Sequence, residues 1–316
     1  MQRGMTPSDP APHGWLILDK PIGIGSTQAV GAVKRALREA GFGKAKVGHG
    51  GTLDPLASGV LPVAIGEATK LAGRMLDSDK IYEFTICFGT QTDTLDLEGA
   101  VIATSDVRPS LAQVEAILPR FTGPIEQVPP AYSAILIDGV RAYDRARAGE
   151  AVEMKLRAAT IHGLSLHHSR ERGNDEGGAG KPLSEVTLLA HVSKGTYIRS
   201  LARDIALALN TVGHVTMLRR IKAGPFGLAQ AISLDNLRET AKARAIAEHM
   251  LPLTAGLDDI PALSVTPEQA MALRQGRTLA GDPRTQGLML ATEGETPVAL
   301  VEAFGPDIRV VRGFNL

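Results

Sequence analysis

The sequence predicts an α/β protein of the α+β type: a mixed, largely antiparallel central sheet flanked by helices, followed by a small β-rich C-terminal module. Two observations carry this. Helical and extended patterns alternate through residues 13–256, but several stretches between strands are too short for regular β-α-β crossovers, which disfavours a doubly wound parallel sheet. Beyond Pro252, Pro261 and Pro267 the pattern changes to short apolar runs at Gly287–Ala291, Pro297–Phe304 and Ile308–Val311. The expected division is a disordered polar tail over 1–12, a main domain over 13–256 and the module over 257–316.

Trp15–Lys20 reads as a buried strand stopped by Pro21, and Gly23, Gly25 and Ser26 as a turn. From Thr27, Val30, Val33, Ala36, Leu37 and Ala40 recur at helical spacing until Gly41 and Gly43. A glycine-rich loop around Asp54 leads into the apolar run Val60–Ile65, and Tyr82–Phe88 is a strand by its β-branched and aromatic content. Thr90–Gly99 is a polar loop, Ser110–Leu118 a helix ended at Pro119, and Gly123–Pro130 a proline-punctuated excursion. A helix over Val140–Ala148 and one or two strands within Val152–Leu166 follow, then a flexible excursion over 167–181. Glu185–Val192 is a strand, Lys194-Gly195-Thr196 a turn, Tyr197–Leu209 a helix, His214–Ile221 a strand and Leu234–His249 a helix.

The 316 residues suffice for a sizeable core, and no stretch approaches the twenty or so apolar residues that cross a bilayer. One cysteine, Cys87, excludes an intrachain disulfide and reads as a buried small hydrophobe, so the cytoplasm is the expected compartment. Lys and Arg (34) balance Asp and Glu (34), which argues mildly against a polyanionic partner. The average conceals two basic stretches, Lys34–Lys46 and Lys194–Lys222.

No phosphate-binding Gly-x-x-x-x-Gly-Lys-Ser/Thr loop, zinc-binding His-Glu-x-x-His or nucleophile-elbow Gly-x-Ser-x-Gly occurs, and Gly23-Ile24-Gly25 lacks the third glycine of a dinucleotide fingerprint. Asp93 and Asp96 read more simply as a capped turn than as metal ligands. Neither a metal nor a cofactor is expected. What stands out is Gly48-His49-Gly50-Gly51-Thr52-Leu53-Asp54-Pro55-Leu56-Ala57-Ser58-Gly59, with one carboxylate among turn formers and small residues. Taken alone it is either a glycine-rich turn with a capping Asp or a catalytic Asp on a rigid loop.

The rest of the chain decides between them. Leu18-Asp19-Lys20-Pro21-x-Gly, the Asp54 loop, Gly66-Glu67-Ala68-Thr69-Lys70, Asp79-Lys80-x-Tyr82, Gln91-Thr92-Asp93-Thr94-x-Asp96, Pro130-x-Tyr132-Ser133-Ala134 and Ser193–Arg199 occur in order. In these blocks the chain resembles the TruB family of bacterial tRNA pseudouridine-55 synthases. The resemblance implies a pseudouridine-synthase catalytic domain with a thumb-like insertion near 123–150, and a C-terminal PUA-like RNA-binding domain. It places the catalytic acid, nucleophile or base, at Asp54. It also implies that Arg199 lies beside that acid, that Tyr82 stacks on a flipped base, and that His49 assists entry of the nucleotide. Lys70 would be a basic residue of the cleft and Asp93 a structural acid. Lys20 and Tyr197, from the same blocks, are counted with the substrate-binding residues, as are Lys44 and Lys46.

The partner implied is the T stem-loop of tRNA, with no membrane and no obligate protein partner, the chain acting as a monomer. Two departures stand out. Gly50 replaces the usual Thr and predicts a more flexible loop, and Arg170–Lys181 resembles an insertion. Isomerising uridine to pseudouridine is redox-neutral, in keeping with the missing signatures. Carboxylate attack on ribose, addition to the base and a glycal route all remain open, as do two alternatives: a related synthase with another structured RNA, and a non-catalytic RNA-binding or RNA-folding protein.

Overall fold

A computed structural model describes residues 12–133, 135–167, 181–282 and 284–316. The tail expected over 1–12, apart from Pro12, and the excursion expected over 167–181, apart from its end residues, lie outside the described residues. In chain order the elements are β1 (Gly14–Lys20), α1 (Ser26–Glu39), β2 (Val47–His49), β3 (Ala57–Ile65), α2 (Ala72–Asp77), β4 (Lys80–Phe88), β5 (Thr90–Thr92), β6 (Val101–Thr104), α3 (Leu111–Ile117) and β7 (Gly123–Gln127). Then come β8 (Leu136–Ile137), β9 (Val140–Arg141), α4 (Ala142–Arg147), β10 (Arg157–Leu166), β11 (Glu185–Val192), α5 (Ile198–Ala208), β12 (Gly213–Ala223), β13 (Phe226–Gly227), β14 (Ile232–Ser233) and α6 (Leu234–Lys242). The chain closes with β15 (Ala262–Ser264), α7 (Pro267–Arg274), β16 (Leu279–Ala280), β17 (Gly287–Glu293), β18 (Thr296–Phe304) and β19 (Asp307–Gly313).

The chain divides into two compact units, one of Met1–Leu53, Val60–Leu76 and Gly224–Leu316, the other of Asp54–Gly59 and Asp77–Ala223. In the first, β1 pairs in parallel with β14, and β2 pairs antiparallel with β3. Trp15 is fully buried, its ring tilted at 46° to that of Phe226 with centroids 5.3 Å apart, and its indole N–H donates to the Leu253 carbonyl. The helical spacing read from Val30, Val33, Ala36 and Leu37 is the buried face of α1, and Lys34, Arg35 and Arg38 are exposed. A separate five-stranded sheet, ordered β15-β17-β18-β19-β16, forms the expected C-terminal module, with α7 packing Ala270 and Leu273 onto Val298, Val301 and Ile308.

In the second unit β12 pairs in parallel with the first residues of β3 and antiparallel with β4; β4, β11, β10 and β7 continue antiparallel. The sheet is mixed and mostly antiparallel, as the short connections required. Ile198, Leu201, Ala202 and Ile205 of α5 bury against Phe84, Ile86, Leu188 and Val215. Taking Leu201 and Ile205 out of water stabilises by about 1.5–3 kcal/mol each. Gly59 enters at φ +101°, where a Cβ would lie 2.1 Å from the Arg220 carbonyl oxygen, so only glycine lets β3 approach β12 here.

Five expectations are revised. Thr90–Thr92, expected within a polar loop, is strand β5, paired antiparallel with β6. Gly123–Gln127 is an edge strand rather than an excursion, the position in which Pro124, lacking a donor, is tolerated. The helix expected over Val140–Ala148 begins only at Ala142. Asp138-Gly139, both at positive φ, instead turn β8 into β9, a hairpin signal present in the dipeptide itself. The helix expected over Leu234–His249 stops at Lys242 because Arg244 takes a left-handed φ of 57°, and a 3-10 turn covers Ile246–His249. Cys87 is half-buried rather than buried. Among the described residues no helix is long and apolar enough to cross a membrane.

Two cations of adjoining strands are turned inward: Arg220, from the second basic stretch, is 1% exposed and Lys80, on the neighbouring strand, 6%. The Lys80 ammonium donates to the Ser78 carbonyl, while burial, reinforced by the charge of Arg220, pushes its pKa from 10.5 down to about 8. Below pH 8 the group is charged in both folded and unfolded chains, and the fold bears the cost of burying it. Between pH 8 and 10.5 only the unfolded chain holds the proton, so this group's contribution to stability rises with pH. Urea unfolding at several pH values is therefore expected to show wild type gaining on Lys80→Met by up to about 3 kcal/mol across that window. Parallel curves would refute the assignment.

Candidate active site

The Asp54 loop is pinned before and after the acid. Leu53 N–H donates to Ser26 Oγ at 2.8 Å, and the Ser26 hydroxyl donates back to the Leu53 carbonyl at 3.1 Å. The Asp54 carbonyl then accepts from Ala57 N–H at 3.0 Å. Gly50 does not loosen the loop as expected. Its N–H donates to the Pro62 carbonyl, and a Cβ at this position would lie 2.4 Å from that of Met75, so the missing side chain permits packing.

Asp54 Oδ2 lies 2.8 Å from Arg199 Nη2, and the burial of the two groups differs: the Arg199 side chain is 9% exposed and that of Asp54 46%. The arginine belongs to the interior and the carboxylate faces outward. Arg199 sits in the first turn of α5, and its fork has further partners. Nη1 donates to the Thr94 carbonyl at 2.8 Å and to Asp96 Oδ2 at 3.1 Å, and Nη2 donates to the Tyr132 carbonyl at 2.9 Å. Three hydrogen bonds, to Asp96 and two carbonyls, fix the plane of the guanidinium, and Asp54 pairs with it as an ion. Asp54, Asp96, Arg199, Val215, Met217 and Leu218 line a shallow cleft.

The Asp96 carboxylate is itself held by the Thr94 hydroxyl at 2.6 Å and by Glu98 N–H at 3.1 Å. Between these residues Leu95, 4% exposed, takes φ 62°, which for a bulky side chain costs on the order of 1–3 kcal/mol. Asp93 stands at the start of the same turn, its Oδ2 accepting from the Tyr132 hydroxyl at 3.3 Å. Asp96 and Tyr132 are the site residues that sequence reasoning left without a role. Spacing signalled only a capped turn, and nothing local to Asp96 or Tyr132 announces Arg199.

Tyr197 precedes α5, and its backbone is held from both sides by Gln127: Tyr197 N–H donates to Gln127 Oε1, and Gln127 Nε2 to the Tyr197 carbonyl. Burial raises its phenol pKa, with Arg157 opposing, the Asp54 charge adding to it and Arg199 opposing. Tyr82 is half-buried on β4, its ring packed against the core beside Phe84, opposite Arg220, which in turn pairs with Gly59. His49 is half-buried on β2, its Nδ1 accepting from Gly51 N–H at 3.4 Å.

The lysines part company. Lys44 and Lys46 are exposed. Lys20 is fully buried, its ammonium donating to the carbonyls of Pro21 at 2.9 Å and Ile24 at 2.7 Å, so it braces the turn before α1 where a substrate contact was expected. Lys70 donates to Glu67 Oε2 at 2.6 Å and to the Gly313 carbonyl at 2.9 Å, and Asn315 N–H reaches the same Glu67 oxygen. Burial works to raise the Glu67 pKa, but Lys70, the Asn315 N–H and His13 outweigh it and bring it below the ordinary value. Lys70 thus ties the chain end to its own unit, where the sequence suggested a cleft residue.

Residues 38–198 match the family model of the TruB pseudouridylate synthase N-terminal domain, and residues 199–258 that of the tRNA pseudouridylate synthase B C-terminal domain. The tRNA pseudouridine synthase B of Novosphingobium aromaticivorans is 61% identical over 303 residues, covering 96% of this chain and 97% of its own length. That of Zymomonas mobilis subsp. mobilis is 58% identical over 310 residues, covering 98% of each. Among solved structures, a chain of an H/ACA RNP bound to a substrate RNA containing 2'-deoxyuridine matches with a TM-score of 0.70 at 24% identity, covering 96% of this chain and 86% of that one. That last likeness is one of fold alone. A half-open carboxylate held by a buried arginine, the two matched family models that meet at Arg199 and near-complete coverage by close relatives lead to one conclusion: the chain belongs to the TruB family of pseudouridylate synthases.

Proposed function

We propose that the protein isomerises uridine 55 in the T loop of tRNA to pseudouridine, with Asp54 acting as nucleophile or base on the flipped-out nucleoside. The observation that carries this is the Asp54–Arg199 pair, in which the cation is buried and held by Asp96 and two carbonyls and the carboxylate remains open to a substrate. The reaction breaks the ribose bond to N1 and forms one to C5. It needs an ionised carboxylate held in a fixed pose where water competes poorly. A guanidinium at 2.8 Å pairs with the Asp54 carboxylate and restricts its rotation. Asp96 acts through Arg199 as a positioning residue. A tRNA substrate, rather than a guided ribosomal RNA, is supported by the full-length similarity to relatives named for tRNA.

The target uridine must leave its stack to reach the cleft, at a cost of a few kcal/mol. In this reading the half-exposed ring of Tyr82 restores part of that by stacking, His49 assists entry and Tyr197 borders the base. Lys44 and Lys46 contact phosphates, which set position and not sequence. The C-terminal module adds a contact outside the T arm. The protein works as a monomer without an obligate protein partner.

Asp54→Asn is expected to bind tRNA as wild type does and to form no pseudouridine. Turnover within about tenfold of wild type would remove Asp54 from the chemistry. Arg199→Lys places a point charge where four acceptors require a planar fork, and a loss on the order of a hundredfold in single-turnover rate is expected from the misplaced carboxylate. Full activity of that variant would mean that only charge matters. Replacing Lys44 and Lys46 together by Gln is expected to lower the slope of log affinity against log salt by about 1–2 while sparing the rate of the saturated complex. An unchanged slope would make both lysines solvated surface.

A further inference from the structure

We propose that Tyr132 is a positioning residue for the reaction, acting through Arg199: its carbonyl orients the guanidinium, and its hydroxyl, bonded to Asp93, holds that carbonyl in place. The inference rests on the reading of Asp54 and Arg199 as the reacting pair and deepens it. Arg199 Nη2 donates to the Tyr132 carbonyl at 2.9 Å and forms its ion pair with Asp54 Oδ2 at 2.8 Å. Both contacts fall on one nitrogen, so a change in the carbonyl's direction shifts the charged group that pairs with Asp54. The orientation of the catalytic acid is therefore set by a peptide group belonging to the segment that leads into β8.

That peptide has its own anchor. The Tyr132 hydroxyl donates to Asp93 Oδ2 at 3.3 Å, and burial, with the Asp93 charge and hydrogen bond adding to it, raises the phenol pKa, so the donor stays protonated. Asp93 is fixed in turn, its N–H donating to the Ala100 carbonyl at 3.0 Å and its Oδ1 lying where a Cβ on Gly99 would stand, 2.2 Å away. The turn that supplies Asp93 also supplies Asp96 and the Thr94 carbonyl to the other nitrogen of Arg199. The contacts close a ring: Arg199 to Asp96, along the turn to Asp93, across to Tyr132, and back to Arg199. Downstream, the Ser133 carbonyl accepts from Tyr143 N–H at 3.0 Å and the Ile135 carbonyl from Ala142 N–H at 2.7 Å, which joins the start of α4 to this segment.

The test uses the full chain and a tRNA transcript, reading single-turnover rate, tRNA dissociation constant and thermal unfolding together. Tyr132→Phe keeps the ring and the carbonyl and removes only the hydroxyl. A fall of about tenfold in rate is expected, with unchanged dissociation constant and unfolding temperature. Asp93→Ala is expected to reproduce that fall, and the double variant to add nothing further. Asp93→Asn retains an acceptor for the phenol and is expected to restore most of the rate. Wild-type rate in Tyr132→Phe, or additive losses in the double variant, would overturn the proposal, as would a fall seen only in tRNA affinity. Wild type and Asp54→Asn run alongside separate the two failures. An inactive wild type, or an active Asp54→Asn, would defeat the reading of the site, whereas an intact contrast between those two with a silent Tyr132→Phe defeats the positioning role alone.

Discussion

The second unit is organised around one cation with too many acceptors to be anything but an arginine. Arg199 lies in the first turn of α5, the positive end of a helix, where a cation is unfavourable unless something offsets it. Asp54 and Asp96 provide the offset, and both carboxylates gain from the same helix terminus. Breaking the buried Arg199–Asp96 pair costs about 3–5 kcal/mol, because the remaining charge stays in a poorly solvated site. The left-handed Leu95, the turn that carries Asp93 and Asp96, and the Gln127 clamp on Tyr197 all make sense as the framework that holds this charge in register.

Much of this was legible in the amino-acid order. The helical face of α1, the stretch Glu185–Val192 and the β-rich C-terminal runs follow from periodicity, because each buries one continuous face. Asp54 and Arg199 were legible only as members of widely separated blocks, since nothing near either residue reveals the other. The sequence was silent where a side chain spends its charge at long range. Lys20, Lys70 and Arg220 look like surface cations in a one-dimensional reading, and each is turned to a carbonyl, a carboxylate or the interior. The helix forecast over Val140–Ala148 starts two residues late for a local reason, an Asp-Gly turn that places Val140 and Arg141 in a hairpin strand.

That inward turn also changes what the balanced net charge means. A zero total suggests indifference to polyanions, yet it sums cations of two kinds. Some, like Lys20 and Lys80, are structural and face protein groups. Others, like Lys34, Arg35, Arg38, Lys44 and Lys46, stand in solvent with few acids beside them. The exposed face of the Lys34–Lys46 stretch is more basic than the average implies, and that local field is the one a phosphate backbone meets.

The edge position of Gly123–Gln127 has a bearing on solubility. A sheet rim with free donors and acceptors is a template on which another chain can add, and long mixed sheets run that risk. Here β7 ends its row with Pro124, which has no N–H to offer, and with the exposed charge of Glu126. In the other unit the outermost strand beside β1 is β14, only two residues long. Neither rim presents an unbroken ladder to a neighbour. The residue that made this stretch look irregular in the sequence is one that discourages fibre-like stacking of copies.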